Sequence, residues 1–321
     1  MSGQLNGRFV RNAWYVAAWS SELGRSLFSR RILGETVVMF RTTDGTPVAF
    51  VDRCPHKLAP LSRGELVGDL LQCGYHGMQY DSSGKCVRVP GQPPIPPAAR
   101  LRKFALFEKY NAVWLWAGDP AAADTSRIID IPQHGKPGWG LVDGQYLHFP
   151  TSYLNLTDNL VDPAHTSYVH KRTIGNSGGE DVPVKVEHDE GHIVASRWVT
   201  NAEPVPIMKT YGGFKGNIDR WQYYHLHLPS TSYVDFGAVD TGGELTERRR
   251  REDSAPSPTI FSLRKPQARR TISGFTCAIM RSALPRSRPI LRASTGRRSR
   301  RIASFSRPSR SSRKRPACAN T

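Results

Sequence analysis

Between Asn12 and Asp119 the apolar residues come in short runs broken by turn formers. Thr36-Val-Val-Met-Phe40 and Val48-Ala-Phe-Val51 flank Asp44-Gly45, the pattern of a β-hairpin. Leu70-Leu-Gln-Cys73, Gly74-Tyr-His-Gly-Met-Gln-Tyr80 and Ala112-Val-Trp-Leu-Trp116 read as further strands, with Ser82-Ser-Gly84 as a turn. The stretch from Val89 to Pro97 is proline-rich, and proline has no backbone N–H to give a ladder, so it reads as an irregular surface loop. A small all-β domain over residues 8–119 follows.

Beyond a linker from Gly118 to Asp124 the periodicity changes. Tyr153 to His170 has the apolar spacing of a helix, interrupted at Pro163, which removes a backbone hydrogen bond and kinks the chain. Trp221, Tyr223, His225 and His227 then alternate with other residues, and Tyr233-Val-Asp-Phe236 follows, which predicts antiparallel strands. Residues 125–247 therefore read as an α+β domain. The expected fold class is α+β, with two domains and a separate tail.

After Glu247 the periodicity stops, and residues 248–321 turn to Arg, Ser and Pro. Such a segment buries too little apolar surface to offset its ordering entropy, so it is expected to be a largely disordered, low-complexity tail. The formal charge of the whole chain is +18, yet 21 Lys or Arg against two acids fall after residue 247, leaving the first 247 residues at net −1. The basicity belongs to the tail, and without aromatic interleaving or a recognition fold it does not argue for nucleic acid as the working partner. No apolar run of membrane-spanning length occurs, and Met1 to Val10 has no signal-peptide h-region, so no membrane association and a cytoplasmic location are expected. Five cysteines, two of them beside histidines, favour metal ligation over disulfides. Cys86, Cys277 and Cys318 have no such neighbours and read as ordinary thiols.

Cys54-Pro-His56 is followed, sixteen residues on, by Cys73-Gly-Tyr-His76. Two thiolates on one iron and two imidazoles on the other make a Rieske-type [2Fe-2S] centre, in which His ligation raises the potential above that of an all-Cys cluster. A Cys2His2 zinc site is the competing reading, but these spacings depart from those of zinc fingers. Lys57, Gly74 and Gly77 suit a backbone that donates N–H groups to cluster sulfurs, and suit plain turn formation equally.

The second constellation is Asn159-x-x-Asp162-x-x-His165-x-x-x-x-His170. On a straight helix the two histidines diverge by about 140°, so they converge on one metal only where the helix is distorted, as Pro163 allows. Two histidines and a carboxylate on one face of Fe(II) leave positions open for dioxygen and substrate. Asp162, one turn before His165, is placed to fix its tautomer or to bridge to a cluster histidine, and also suits a helix cap. Asn159 suits holding a water or biasing a ligand, or a polar helix surface.

Taken together, these two motifs, with Asn12-Ala-Trp-Tyr-Val-Ala17 and Val113-Trp-Leu-Trp-Ala-Gly-Asp119, resemble the oxygenase components of Rieske non-haem iron oxygenases, in the aromatic O-demethylase branch of vanillate and dicamba type. The resemblance runs from about Arg8 to Ala238. It implies a Rieske domain joined to a helix-grip, START-like catalytic domain, and a head-to-tail homotrimer. In that trimer the counterpart of Asp162 links a cluster histidine of one subunit to an iron histidine of the next. It also implies an NADH-dependent reductase with flavin and iron-sulfur centres, dioxygen, a mononuclear Fe(II) and an aromatic acid such as vanillate. The implied reaction removes a methyl group oxidatively, giving a phenol and formaldehyde.

The family's third iron ligand is an acid in a late helix, in a segment like Phe-x-Glu-Asp. No such segment stands here; Glu244, Glu247, Glu252 and Asp253 are the late carboxylates, and none has that context. The hypothesis that explains this is a change of reading frame near residues 240–255. Arg298 to Arg310 is compatible with codons that, one frame over, spell Phe-Glu-Glu-Asp and a helix-like continuation; Arg270 to Met280 similarly hides a family-like strand. On that hypothesis this chain supplies only His165 and His170 to the mononuclear iron, and turnover is impaired. A Rieske electron carrier without oxygenase activity is the alternative, against which the Asp162 to His170 array argues.

Overall fold

A computed structural model describes residues 9–92, 94–131, 134, 139–149, 151, 153–243, 257–262 and 272–281. Ten strands make up the first part: β1 (Trp14–Trp19), β2 (Phe28–Ile32), β3 (Glu35–Arg41), β4 (Pro47–Val51), β5 (Glu65–Val67), β6 (Leu70–Gln72), β7 (Gln79–Tyr80), β8 (Cys86–Arg88), β9 (Leu106–Lys109) and β10 (Ala112–Trp116). They form three antiparallel sheets, ordered β1-β10-β9, β2-β3-β4 and β5-β6-β7-β8. The hairpin expected around Asp44-Gly45 is β3–β4, paired from Val37↔Val51 to Arg41↔Pro47.

The apolar run in β3 is unbroken because both of its faces are covered. Val37 and Met39 pack into a core with Tyr15, Val113 and Leu115. Val38 and Phe40 pack on the other side with Phe50, Leu71, Tyr80, Cys54, Cys73 and Cys86. A strand buried on both sides loses the in-out alternation of a half-exposed one. Gly74 to Tyr80, expected as a strand throughout, pairs only at Gln79 and Tyr80; Gly74 to Met78 is a loop, since its backbone is turned to present side chains.

The second part contains β11 (Trp139–Phe149), α1 (Tyr153–Val161), α2 (Thr166–Val169), β12 (Lys185–His188), β13 (His192–Ala202), α3 (Pro206–Tyr211), β14 (Ile218–His227), β15 (Thr231–Asp240), β16 (Ser257–Ser262) and β17 (Ile272–Arg281). One antiparallel sheet, ordered β11-β17-β16-β15-β14-β13-β12, takes all seven strands. Helix α1 lies against β14 and β15, with Leu156 buried beside Phe149 and Leu160.

Strands β16 and β17 fall within 248–321, where the sequence predicts little order. They pair with β15 and β11 in the frame as written, through registers such as Ile260↔Phe275 and Phe149↔Ile272. Two short β-prone runs acquire a ladder there because the sheet offers them open edges, which composition alone does not register. Glu244, Glu247, Glu252, Asp253 and residues 282–321 lie outside the described residues.

Candidate metal centres

The two Cys-His loops close in the same way. Cys54 N–H donates to Ala59 O and Leu58 N–H to Cys54 O, at 2.8 and 2.9 Å; Cys73 N–H donates to Met78 O and Gly77 N–H to Cys73 O, at 2.8 and 3.0 Å. Leu58 and Gly77 hold the same place in each loop, both in the left-handed region, at φ 60° and 70°. Leucine there is strained, and its persistence in the first loop points to a surrounding geometry that overrides local preference. The second loop also presses its backbone on that of the turn after the first: a Cβ on Gly74 would meet Arg63 O at 2.7 Å.

This closure sorts the four candidate ligands into two pairs. Cys54 and Cys73 are both 2% exposed, and their thiols face each other within hydrogen-bonding reach. His56 and His76 are exposed, with ring centroids 4.7 Å apart. A sulfur pair inside and an imidazole pair outside is the donor set that a Rieske cluster requires of its two irons. The residues therefore fit the cluster. Burial pushes the Cys73 thiol up, with the Cys54 sulfur adding to it, while the N–H groups of Tyr75 and His76 point at the Cys73 sulfur and act in the opposite sense. The Gly77 N–H goes instead to Cys73 O. Tyr80, which sequence reasoning missed, places its hydroxyl 3.3 Å from Cys54 Sγ and 3.6 Å from Met78 Sδ. Its position on β7, after the ligand loop and outside both Cys-His motifs, gives no signal of that role.

The helix expected over Tyr153 to His170 is broken at Asp162-Pro163 into α1 and α2. His165 immediately precedes α2 and His170 immediately follows it. Their rings approach edge to face with centroids 5.1 Å apart, so the break supplies the convergence that a straight helix denies. Asp162 Oδ2 lies 3.2 Å from His165 Nδ1, while Oδ1 accepts the Ala164 N–H at 2.7 Å. A carboxylate on Nδ1 leaves Nε2 as the free lone pair for a metal. Asn159 sits half-buried on α1 and, among the described residues, hydrogen-bonds neither histidine.

Arg197 on β13 holds the break in place. Its guanidinium donates to Pro163 O at 2.9 Å, Thr166 Oγ1 at 3.1 Å, Gly179 O at 2.6 Å and Gln222 Oε1 at 2.7 Å. Burial pulls its pKa down, and the neighbouring Tyr224 and Asp162 push it back. Burial likewise raises Tyr224, whose hydroxyl accepts from Gln222 Nε2 at 3.0 Å. Only the tertiary pairing of β13 with β14 reveals this support. Among the described residues the His165–His170 pair gains no third ligand: the one set of three His, Cys, Asp or Glu side chains with ligand atoms within 4.8 Å lies elsewhere, at His192, His225 and His227. Cys86 is a buried thiol in the core behind the cluster loops, donating to Arg88 O.

Comparison with known proteins places these features in one family. Residues 13–105 match the Rieske [2Fe-2S] domain, and residues 149–302 match the vanillate O-demethylase oxygenase C-terminal domain, past Glu247. The chain is 36% identical over 276 residues to the toluene-4-sulfonate monooxygenase system iron-sulfur subunit of Comamonas testosteroni, covering 84% of this chain and 78% of that one. It is 38% identical over 242 residues to the oxygenase component of dicamba O-demethylase from Stenotrophomonas maltophilia, covering 75% and 71%. Among solved structures, dicamba monooxygenase bound to 3,6-dichlorosalicylic acid aligns with a TM-score of 0.75 at 30% identity, over 95% of this chain and 93% of that one. Dicamba monooxygenase with non-haem iron and dicamba aligns at 0.69 and 27% identity. No described helix is long and apolar enough to cross a membrane. Rieske loops, a broken two-histidine helix and this pair of domain matches make the chain a member of the Rieske non-haem iron oxygenases, an oxygenase component of the vanillate and dicamba O-demethylase type.

Proposed function

We propose that this chain takes electrons at a [2Fe-2S] cluster held by Cys54, His56, Cys73 and His76 and delivers them to a mononuclear Fe(II) held by His165 and His170. The approach of the two imidazoles across the Asp162-Pro163 break, with Asp162 fixing the tautomer of His165, is the observation that carries this reading. When bound, the iron supplies dioxygen activation; the chain orients its two nitrogens and, through Arg197, keeps the break rigid. The substrate in this reading is an aromatic acid with a methoxy or methyl group, as the names of the relatives that act on vanillate, dicamba and toluene-4-sulfonate suggest. The reducing partner is an NADH-dependent reductase with flavin and iron-sulfur centres, in a cytoplasm that keeps Cys54 and Cys73 free for iron.

Exposed His56 and His76 support docking of the cluster edge against a second protein surface. In a homotrimer that surface is the next subunit, with Asp162, half-exposed on its outer side, as the bridge. Gel filtration of the reconstituted chain tests the trimer. Oxygen uptake and formaldehyde release with reductase, NADH and each of vanillate, dicamba and toluene-4-sulfonate test the reaction; uptake that none of these stimulates would sink the oxygenase reading. The competing reading is a Rieske carrier that passes electrons without turning over substrate. In that case the cluster is reduced and reoxidised at normal rates while substrate-dependent uptake is absent.

A further inference from the structure

A second group of histidines lies on the opposite face of the catalytic sheet from the iron pair. Along β13 and β14 the register pairs His192 with His227 and Val194 with His225, which puts all three imidazoles on one face. Arg197, Gln222 and Tyr224, which support the α1–α2 break, have the other parity and point the other way. The two groups are therefore separate.

The ring geometry is close. His192 and His227 stack with centroids 4.0 Å apart, and His192 and His225 are 5.0 Å apart and nearly parallel. His192 Nε2 lies 2.9 Å from His225 Nδ1, and one nitrogen from each of the three falls within 4.8 Å of the others. With metal–nitrogen bonds of about 2.0–2.1 Å, the pair 2.9 Å apart subtends about 90° at a common ion, and nitrogens more than about 4.2 Å apart reach one ion only as a ring turns inward. His225 is buried and backed by the Tyr233 ring at 4.3 Å, whereas His192 and His227 are half-buried, leaving solvent access for a further ligand. Asp189 anchors the turn before His192 by accepting the N–H groups of Gly191 and His192, both at 2.8 Å, and brings a negative charge to the mouth.

We propose that His192, His225 and His227 bind one divalent first-row transition ion of the zinc class, with solvent as the remaining ligand, clamping β13 to β14. Burial favours the neutral imidazole at His192 and His227, the form that carries a lone pair for a metal. Three imidazoles and an open position suit zinc, copper or nickel better than calcium or magnesium. The site is independent of the Rieske cluster and of the mononuclear iron.

The test is titration of the full chain, cluster intact, with Zn2+ alone, in a His165→Ala/His170→Ala background that removes the iron pair. One equivalent bound at micromolar or tighter affinity is expected, with a rise in Tm. His192→Gln and His227→Gln in the same background should each weaken binding at least 100-fold while the cluster absorbance stays unchanged. Nitrogen ligation from X-ray absorption at the zinc edge should count about three imidazoles. Absence of a bound equivalent in the background protein would overturn the site, leaving a hydrogen-bonded stack of neutral histidines. Equal affinity in the histidine variants would overturn it too, by placing the zinc elsewhere.

Discussion

The Tyr80 hydroxyl stands 3.3 Å from the sulfur of Cys54, inside the core that carries the cluster loops. In the assembled centre, with the sulfur ligating iron, that hydroxyl donates. A donor to a ligand sulfur stabilises the reduced, more negative cluster over the oxidised one. Tyr80→Phe should leave the cluster absorbance in place and lower its reduction potential. If the bond is stronger by ~1 kcal/mol in the reduced state, the shift is about 40 mV for one electron. Spectroscopic redox titration measures it, and an unchanged potential would remove the role.

Asp162 and His165 define the next expectation. Asp162→Asn keeps a hydrogen bond but loses the charge that holds Nδ1 protonated, so iron affinity at the histidine pair and turnover should fall about 10- to 100-fold. The Rieske spectrum should not change, and iron analysis with oxygen-uptake assays reads both.

Arg197→Met should cost more in stability than in charge. It strips donors from four acceptors around the α1–α2 break, and each acceptor left buried without a partner costs about 1–3 kcal/mol. A fall in Tm with loss of mononuclear iron, and with the cluster retained, is the expected signature.

At low pH the Arg41–Glu108 pair should fail early. Arg41 ties β3 to β9 through two hydrogen bonds to Glu108, at 2.6 and 2.9 Å, and holds its carboxyl below the usual range. A depressed carboxylate contributes stability that is complete above its unfolded value, about 4.3, and is lost as pH falls through the folded one. Since the pair is partly exposed, its share is about 1 kcal/mol or less. Thermal melts from pH 6 to 3 should show a shallower acid loss in Glu108→Gln than in the parent; identical slopes would refute the assignment.

Mild chelation should separate the two irons. A single iron held by protein side chains should pass to a chelator, while the cluster, its irons bridged by sulfide, keeps its two irons and two sulfides. Iron and acid-labile sulfide analysis before and after dialysis reads the difference. Sequencing the gene across residues 240–255 tests the frame change: an uninterrupted frame with no family-like peptides hidden in the tail would remove it.

The cluster motif was readable from the chain because each pair of ligands lies within four residues of sequence. Cys54, His56, Cys73 and His76 carry their chemistry in identity and spacing. Likewise, Pro163 between Asp162 and His165 announced a broken helix, since proline acts on its own backbone. The tertiary structure decided what depends on pairing distant segments. Arg197 meets Pro163 across 34 residues. Tyr80, on β7, meets Cys54, in the loop after β4, because both enter the same core. His192 joins His225 and His227 only through the β13–β14 register, and β16 and β17 become strands because a sheet edge is there to receive them. Short-range order follows from local stereochemistry, whereas side chains far apart in sequence become neighbours only when the sheet fixes which residue lies opposite which.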